Sequence, residues 1–217
     1  MTNYTHPIIE YDNKTPTIKF QYGKYFAEHN FGPSRHDQRI NLINVPKNAS
    51  MFLDSVIMDE DTVNKNNSVV TFSAIRNPLH RFISAYFFCG KPDISFSFFV
   101  EEFINGNLRL LYPSDENLIS HFMPQSIFIN SGLKYFGDLS YIFSVETLKK
   151  LGTESVFGTM GISIKEKSFF KNQTTYTKDA ENYMKILEND FNPWFSEFFK
   201  EDIILYSKFC SGIHFIE

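Results

Sequence analysis

The chain has 217 residues, 42% apolar and 17% aromatic, with 25 phenylalanines, so its length and composition suit a single domain over 1–217 with a substantial core. A formal net charge of −4 argues against a general nucleic-acid binder, which is normally basic. Two cysteines, Cys89 and Cys210, are too few for a disulfide framework or a zinc site, and no apolar run of about 18 residues marks a membrane span. With no leader pattern at the start, the expectation is a cytoplasmic protein.

Residues 1–38 are polar and broken by Pro7, Pro16 and Pro33, and read as an irregular lead-in with one short strand at 17–22. Residues 40–45 are a buried strand, followed by a loop at 46–50 and a helix over 51–58 with Met51, Phe52, Ser55 and Val56 at helical spacing. A polar linker, 59–67, leads to a second buried strand at 68–75, rich in β-branched residues. Pro78 favours a first helical turn, and Leu79, Phe82, Ile83 and Tyr86 then form one apolar helix face. A helix over 96–104 carries Phe98, Phe99, Phe103 and Ile104 inward and ends at Gly106. The segment 118–130 holds His121-Phe-Met-Pro-Gln125 and then an apolar stretch. A third core strand at 139–145 runs into a short helix closed by Gly152. Residues 169–178 are a polar loop with two lysines; 179–199 is helical with a break at Pro193, and 203–209 adds a last helical turn or two. Strands separated by helices predict an α/β fold with a mostly parallel central sheet flanked by helices.

The loop Pro46-Lys47-Asn48-Ala49-Ser50 is the chemical centre of this pattern. A strand, a tight turn and a helix N-terminus aim free N–H groups and the helix dipole at one point, which suits an anion. Lys47 adds a mobile positive charge, and Ser50 stands near the N-cap. The Gly-x-x-x-x-Gly-Lys-Ser/Thr pattern is absent, which counts against an ordinary ATPase or GTPase. Arg76 stands at the end of the second strand, and Ser84 lies eight residues later in the following helix. Both can converge on one anion at the carboxyl edge of a parallel sheet.

These segments resemble the sulfotransferases that use 3′-phosphoadenosine-5′-phosphosulfate (PAPS). Pro46 to Ser50 resembles their 5′-phosphosulfate loop, and Arg76-Asn-Pro-Leu-His-Arg-Phe-Ile-Ser84-Ala-Tyr is similar to their 3′-phosphate motif, Arg-x-Pro-x-x-Arg-x-x-Ser-Ala-Tyr. His121-Phe-Met-Pro-Gln, Phe143-Ser-Val-Glu-Thr-Leu and Lys171-Asn-Gln-Thr resemble further segments of the Golgi-type carbohydrate branch and its bacterial and viral relatives. The resemblance spans about residues 40 to 209. It implies a fold related to the P-loop nucleotide kinases, PAPS as donor, no metal, and a small-molecule or glycan acceptor. Carried over, Lys47 would contact the sulfuryl group and its bridging oxygen. The backbone of Asn48 to Met51, with the Ser50 hydroxyl, would hold the 5′-phosphate; Arg76 and Ser84 would hold the 3′-phosphate. Lys171, Asn172 and Thr174 would close over the nucleotide. Met51 and Phe52 stand where the family has Thr or Ser, and Phe122 stands for its Trp.

Sulfuryl transfer is chemically close to phosphoryl transfer: an acceptor hydroxyl attacks in line while charge builds on the leaving phosphate. Lys47 suits the leaving-group side. His121 is the first candidate for the base; Glu28, His29 and His36 are candidates if the lead-in covers the acceptor site, and His80, inside the Arg76–Ser84 motif, belongs nearer the nucleotide or the surface. Two other readings are open on the residues alone. One is a nucleotide or small-molecule kinase on a related fold; the other is a non-catalytic nucleotide-binding module.

Overall fold

The computed structural model describes residues 7–11, 17–22, 25–30, 34–89, 94–107, 116–164 and 178–216. Its organising element is a five-stranded sheet ordered β10-β8-β7-β5-β4. The three inner strands are β5 (Ile40–Leu42), β7 (Val70–Ile75) and β8 (Tyr141–Ser144). They run parallel, with Ile40 opposite Val70 and Phe72 opposite Tyr141. The edge strands β4 (Ser34–Arg35) and β10 (Ile213–Phe215) are antiparallel to their neighbours. A two-stranded ladder joins β6 (Val63–Asn64) to β9 (Ile162–Ser163), also antiparallel.

The chain is therefore mixed α/β, but antiparallel pairings outnumber parallel ones, against the expected mostly parallel sheet. The correction comes from short elements that the apolar pattern does not advertise. The largest is the supposed irregular lead-in, which forms an antiparallel sheet of β1 (Ile8–Tyr11), β2 (Thr17–Tyr22) and β3 (Tyr25–Asn30). Antiparallel strands need only a short connection, so such a sheet can form from a polar stretch. Its alternation is minimal: Ile18 and Tyr22, four residues apart and on one face, enter the core. The Tyr22 hydroxyl donates to the Phe103 carbonyl at 2.8 Å, which docks the sheet on the rest of the chain.

Helices cover both faces of the main sheet. Along β7, Val70, Phe72 and Ala74 pack on one side with α1 (Ser50–Ile57), α5 (Val145–Leu151) and α6 (Thr153–Thr159). On the other side lie α2 (Pro78–Phe88), α3 (Phe96–Ile104), α4 (Gln125–Phe136), α7 (Lys178–Asn189), α8 (Asn192–Phe198) and α9 (Lys200–Phe209). Adjacent strand residues point to opposite faces, so Ile142 joins the second cluster and Phe143 the first. The second cluster uses much of the phenylalanine. Phe82 on α2 meets Phe96, Phe99, Phe103, Phe122, Trp194, Phe195 and Phe199 edge-on, with centroids 5.2–6.5 Å away. Edge-to-face pairs each add about 0.5–1.5 kcal/mol beyond burial, so α2 is held firmly.

Two helix faces differ from expectation. The inward face of α1 is Leu53, Val56 and Ile57, while Met51 is 75% exposed. On α3 the buried residues are Phe96, Phe99, Val100 and Phe103, and Phe98 faces solvent. Helix α6 and strand β10 are further elements the sequence reading passes over. Gly132 lets α4 close on the sheet: a Cβ there would stand 2.6 Å from Ile43 Cγ2.

Candidate functional site

The three parallel strands bring their carboxyl ends to one edge of the sheet, where ligands of α/β folds bind. After β5 the chain turns through Pro46 to Ala49 into α1; after β7 it reaches Arg76; after β8 it enters α5 directly. Helix α4 brings its N-terminal Gln125 to the same place.

The loop is wound tightly. Lys47 and Ala49 both have left-handed backbones, with φ of 69° and 61°. For residues with a Cβ this costs on the order of 1–3 kcal/mol each. Asn48, between them and only 1% exposed, holds the conformation. Its Nδ2 donates to the Ala74 carbonyl at 2.9 Å and to Gln125 Oε1 at 2.8 Å. Its backbone N–H donates to Val45 O at 3.2 Å. The N-cap is Ala49, not Ser50, which is the first helical residue. An alanine has no side-chain acceptor, and no side chain caps α1. The first-turn N–H groups of Ser50 and Met51 therefore present the positive end of the helix. Met51 can contribute only its backbone.

Arg76 is 8% exposed, and its Nη1 donates to the Lys47 carbonyl at 3.2 Å, so the left-handed turn at Lys47 also ties loop and strand end together. Gln125, fully buried, completes the joint. Its Oε1 accepts from the Arg76 N–H at 3.0 Å and its Nε2 donates to the Arg76 carbonyl at 2.9 Å. Gln125 is held in turn by Asp202 of α9. The Asp202 carboxylate accepts from the N–H groups of Gln125 and Ser126, at 2.8 and 2.9 Å, across the first turn of α4. Burial raises the Asp202 pKa, while the Arg81 charge and those N–H groups oppose the rise. Arg81 is 1% exposed; its Nε donates to Pro46 O at 3.0 Å and its Nη1 to Met123 O at 2.5 Å. Burial lowers its pKa to about 10, partly countered by Asp202, so it stays charged near neutrality.

At the mouth stand three side chains with few polar partners. The Lys47 ammonium lies over the Phe88 ring, 3.9 Å from its centroid. The His121 ring also rests on Phe88, with centroids 4.7 Å apart and planes 37° from parallel. His121 Nδ1 is buried without a hydrogen-bond partner among the described residues. Burial, then the Arg76 and Arg81 charges, bring the Lys47 pKa down to about 8, against a smaller opposing effect of Cys89. Burial first, then the charges of Lys47 and Arg81, bring the His121 pKa down to about 3. At neutral pH Lys47 is thus mostly charged, as a charge stabiliser requires, and His121 is neutral.

The other expected positions fall in place unevenly. Ser84 is buried on α2, two turns into the helix that follows Arg76. His80 Nδ1 lies 3.8 Å from Glu146 Oε1. Burial works to raise the Glu146 pKa, but the His80 hydrogen bond and the Arg76 charge help bring it down overall. His29 of β3 is near the site: its Nε2 donates to the Asn44 carbonyl at 3.0 Å, and its ring meets Phe128 edge-on. That bond turns one ring nitrogen to structure, and burial brings its pKa down to about 4. Glu28 pairs instead with Lys19 across the hairpin at 3.2 Å. Lys171, Asn172 and Thr174 lie outside the described residues, as does the side chain of His36. Sequence reasoning missed Arg81, Phe88, Gln125 and Asp202 as site builders. Arg81 and Gln125 carry a signal, since each sits inside a quoted motif; Phe88 and Asp202 carry none.

Among the described residues no group of three or more His, Cys, Asp or Glu could hold a metal ion, and no helix is long and apolar enough to cross a membrane. Neither Cys89 nor Cys210 forms a disulfide among the described residues. Compared with known families, residues 17–208 match the sulfotransferase family. The match covers most of the chain, which therefore belongs to that family. No curated protein and no solved structure matches it.

Proposed function

We propose that this sulfotransferase-family chain uses PAPS as donor and transfers the sulfuryl group to a hydroxyl, carried by a sugar. The observation that carries the reading is Lys47, a desolvated ammonium held at the rim of an uncapped helix start and beside a neutral histidine. The uncapped N–H groups of Ser50 and Met51, with the Ser50 hydroxyl, suit a 5′-phosphate. Arg76 and Ser84, at the end of β7 and in α2, suit a 3′-phosphate, and an Arg beside a desolvated Lys favours a donor of high negative charge. The parallel strands β5, β7 and β8, with their loops at one edge, support kinship with the P-loop nucleotide kinases. The likeness of the Arg76–Ser84 and His121–Gln125 segments to the carbohydrate branch supports a sugar acceptor.

In this reading the His121 imidazole accepts the acceptor hydroxyl proton as the oxygen attacks sulfur in line. Lys47 stabilises the negative charge that develops on the bridging oxygen of the leaving phosphate. No residue is required to form a covalent intermediate. Arg76 and the loop N–H groups hold the donor still, which is where most of the rate advantage of such a site originates. The resemblance gives Lys171, Asn172 and Thr174 the role of closing over the nucleotide.

The test is a thermal-shift titration with adenosine 3′,5′-bisphosphate, the desulfated product, on the wild type and on Arg76→Ala. At about 100 times its dissociation constant the ligand should stabilise the fold by about 2.7 kcal/mol. A shift in the wild type, lost in the variant and not reproduced by ATP with Mg²⁺, is the expected result. A folded wild type with no shift would overturn the donor assignment.

A further inference from the structure

Phe88 has no place in the motifs, yet it touches both groups assigned to the transfer. It ends α2, the helix that begins at Pro78. Arg81 lies seven residues earlier, two helical turns away, and so on the same face. Arg81 bonds the backbone of two segments: Pro46 of the loop and Met123 of the segment before α4. Phe88 meets the side chains of the same two segments, Lys47 and His121. One helix face thus holds the two segments twice, by their carbonyls inside and by their functional groups at the rim. The rim contact is not core packing, since Phe88 is 53% exposed. A ring that exposed, with a cation at 3.9 Å and an imidazole at 4.7 Å, is placed by what it carries rather than by the core.

We propose that Phe88 is a positioning residue for sulfuryl transfer: its ring fixes the Lys47 ammonium and the His121 imidazole relative to each other. The aromatic face attracts the ammonium electrostatically and limits its reach. Lysine has four rotatable side-chain bonds, and among the described residues the Phe88 ring is the contact shown for this ammonium, so without the ring it would sample much of the mouth. The His121 ring, lacking a partner for Nδ1 among the described residues, lies tilted against Phe88, and that contact orients it in this reading. The inference rests on the assignment of Lys47 and His121 to the transfer, and the experiment separates the two.

Phe88→Leu and Phe88→Tyr are compared with the wild type in the full chain, after thermal melts confirm that both variants fold. Lysines are reductively methylated with ¹³C, and the Lys47 signal is assigned by its loss in Lys47→Arg. The wild-type Lys47 methyl and His121 ring signals should carry ring-current shifts. Both should move in Phe88→Leu and return in Phe88→Tyr. Binding of adenosine 3′,5′-bisphosphate should stay within about threefold in all three proteins, because the ring faces the transferred group and not the 3′-phosphate wall. With water taking the place of the acceptor hydroxyl, release of sulfate from PAPS should fall about tenfold in kcat in Phe88→Leu with KM for the donor little changed, and recover in Phe88→Tyr. Signals that do not move in Phe88→Leu, or that move without any change in kcat, would overturn the positioning role. If the wild type fails to bind the bisphosphate, the donor assignment fails, while the paired movement of the two signals still decides whether Phe88 holds both groups.

Discussion

Two sets of residues share the same three segments and do opposite things. The inner set is Asn48 of the loop, Arg81 of α2 and Gln125 at the start of α4, backed by Asp202. All are buried, and hydrogen bonds tie them to one another or to nearby backbone. The outer set is Lys47, Phe88 and His121, one to seven residues away in each segment. Lys47 and His121 each lean on the Phe88 ring, and His121 Nδ1 is buried without a hydrogen-bond partner among the described residues. The lesson is a division of labour within each segment. Polar groups bonded from one segment to another make a rigid frame, although Asn48 Oδ1 and Arg81 Nη2 have no hydrogen-bond partner among the described residues. Underused ones next to that frame keep the free energy that a ligand can recover. The strained turn at Lys47 belongs to both: Asn48 holds it from inside, and Lys47 uses it outside.

The sharpest way to break the comparison is to empty the inner set. Asp202→Ala leaves Arg81 charged and buried and two N–H groups unmatched, and should cost about 3–5 kcal/mol in urea or guanidinium unfolding. A loss under about 1 kcal/mol would mean the frame is not built around that carboxylate. Lys47→Ala should do the reverse. Transfer should fall by about 2.7–4 kcal/mol in activation free energy, or 10²–10³ in kcat, while the melting temperature stays level. A matching loss of stability would place Lys47 in the frame. Asn48→Ala stands between the sets. It should cost about 1–3 kcal/mol of stability by leaving Ala74 O short of a donor, and it should also weaken bisphosphate binding by loosening the turn.

The next test is pH. His29 and His121 have folded pKa values brought down to about 4 and about 3, mainly by burial. Below an unfolded value of about 6.5 the unfolded chain takes up protons that the folded chain refuses, so stability present above that pH falls as the pH drops toward 4. Asp54, raised to about 6 by burial against its Asn44 hydrogen bond, works the other way, as does Asp202. Replacing both histidines by Gln isolates their share and should flatten the profile between about pH 6.5 and 4.5 by about 1 kcal/mol per ring. Proton NMR of the two rings, with no titration above about pH 5, checks the assignment directly. The smallest effect belongs to Met51→Thr. At 75% exposure it should change stability by less than about 0.5 kcal/mol and leave bisphosphate binding unchanged, since only its backbone faces the anion site.

The sequence by itself determined the pieces that depend on local physics. The buried β-branched run became β7, the apolar spacing after Pro78 became α2, and the strand-loop-helix around Lys47 was legible because a Pro, a Lys and small polar residues follow an apolar strand. Arg76 at a strand end and His121 ahead of a helix were likewise visible as positions. The tertiary structure alone decided what those positions meet. That Asp202 holds Gln125, 77 residues earlier, follows from α9 crossing the start of α4, and no spacing encodes it. That Phe88 joins Lys47 to His121 follows from α2 lying along both segments. Of the antiparallel sheet β1 to β3 only the strand 17–22 was legible; its partners carry too weak a periodic signal, and among the described residues Ile18 and Tyr22 are the ones fully buried, Tyr22 against Phe103. Local patterns record which face of an element is apolar; partnership between polar groups is set by where the elements cross, and that is a property of the packed chain.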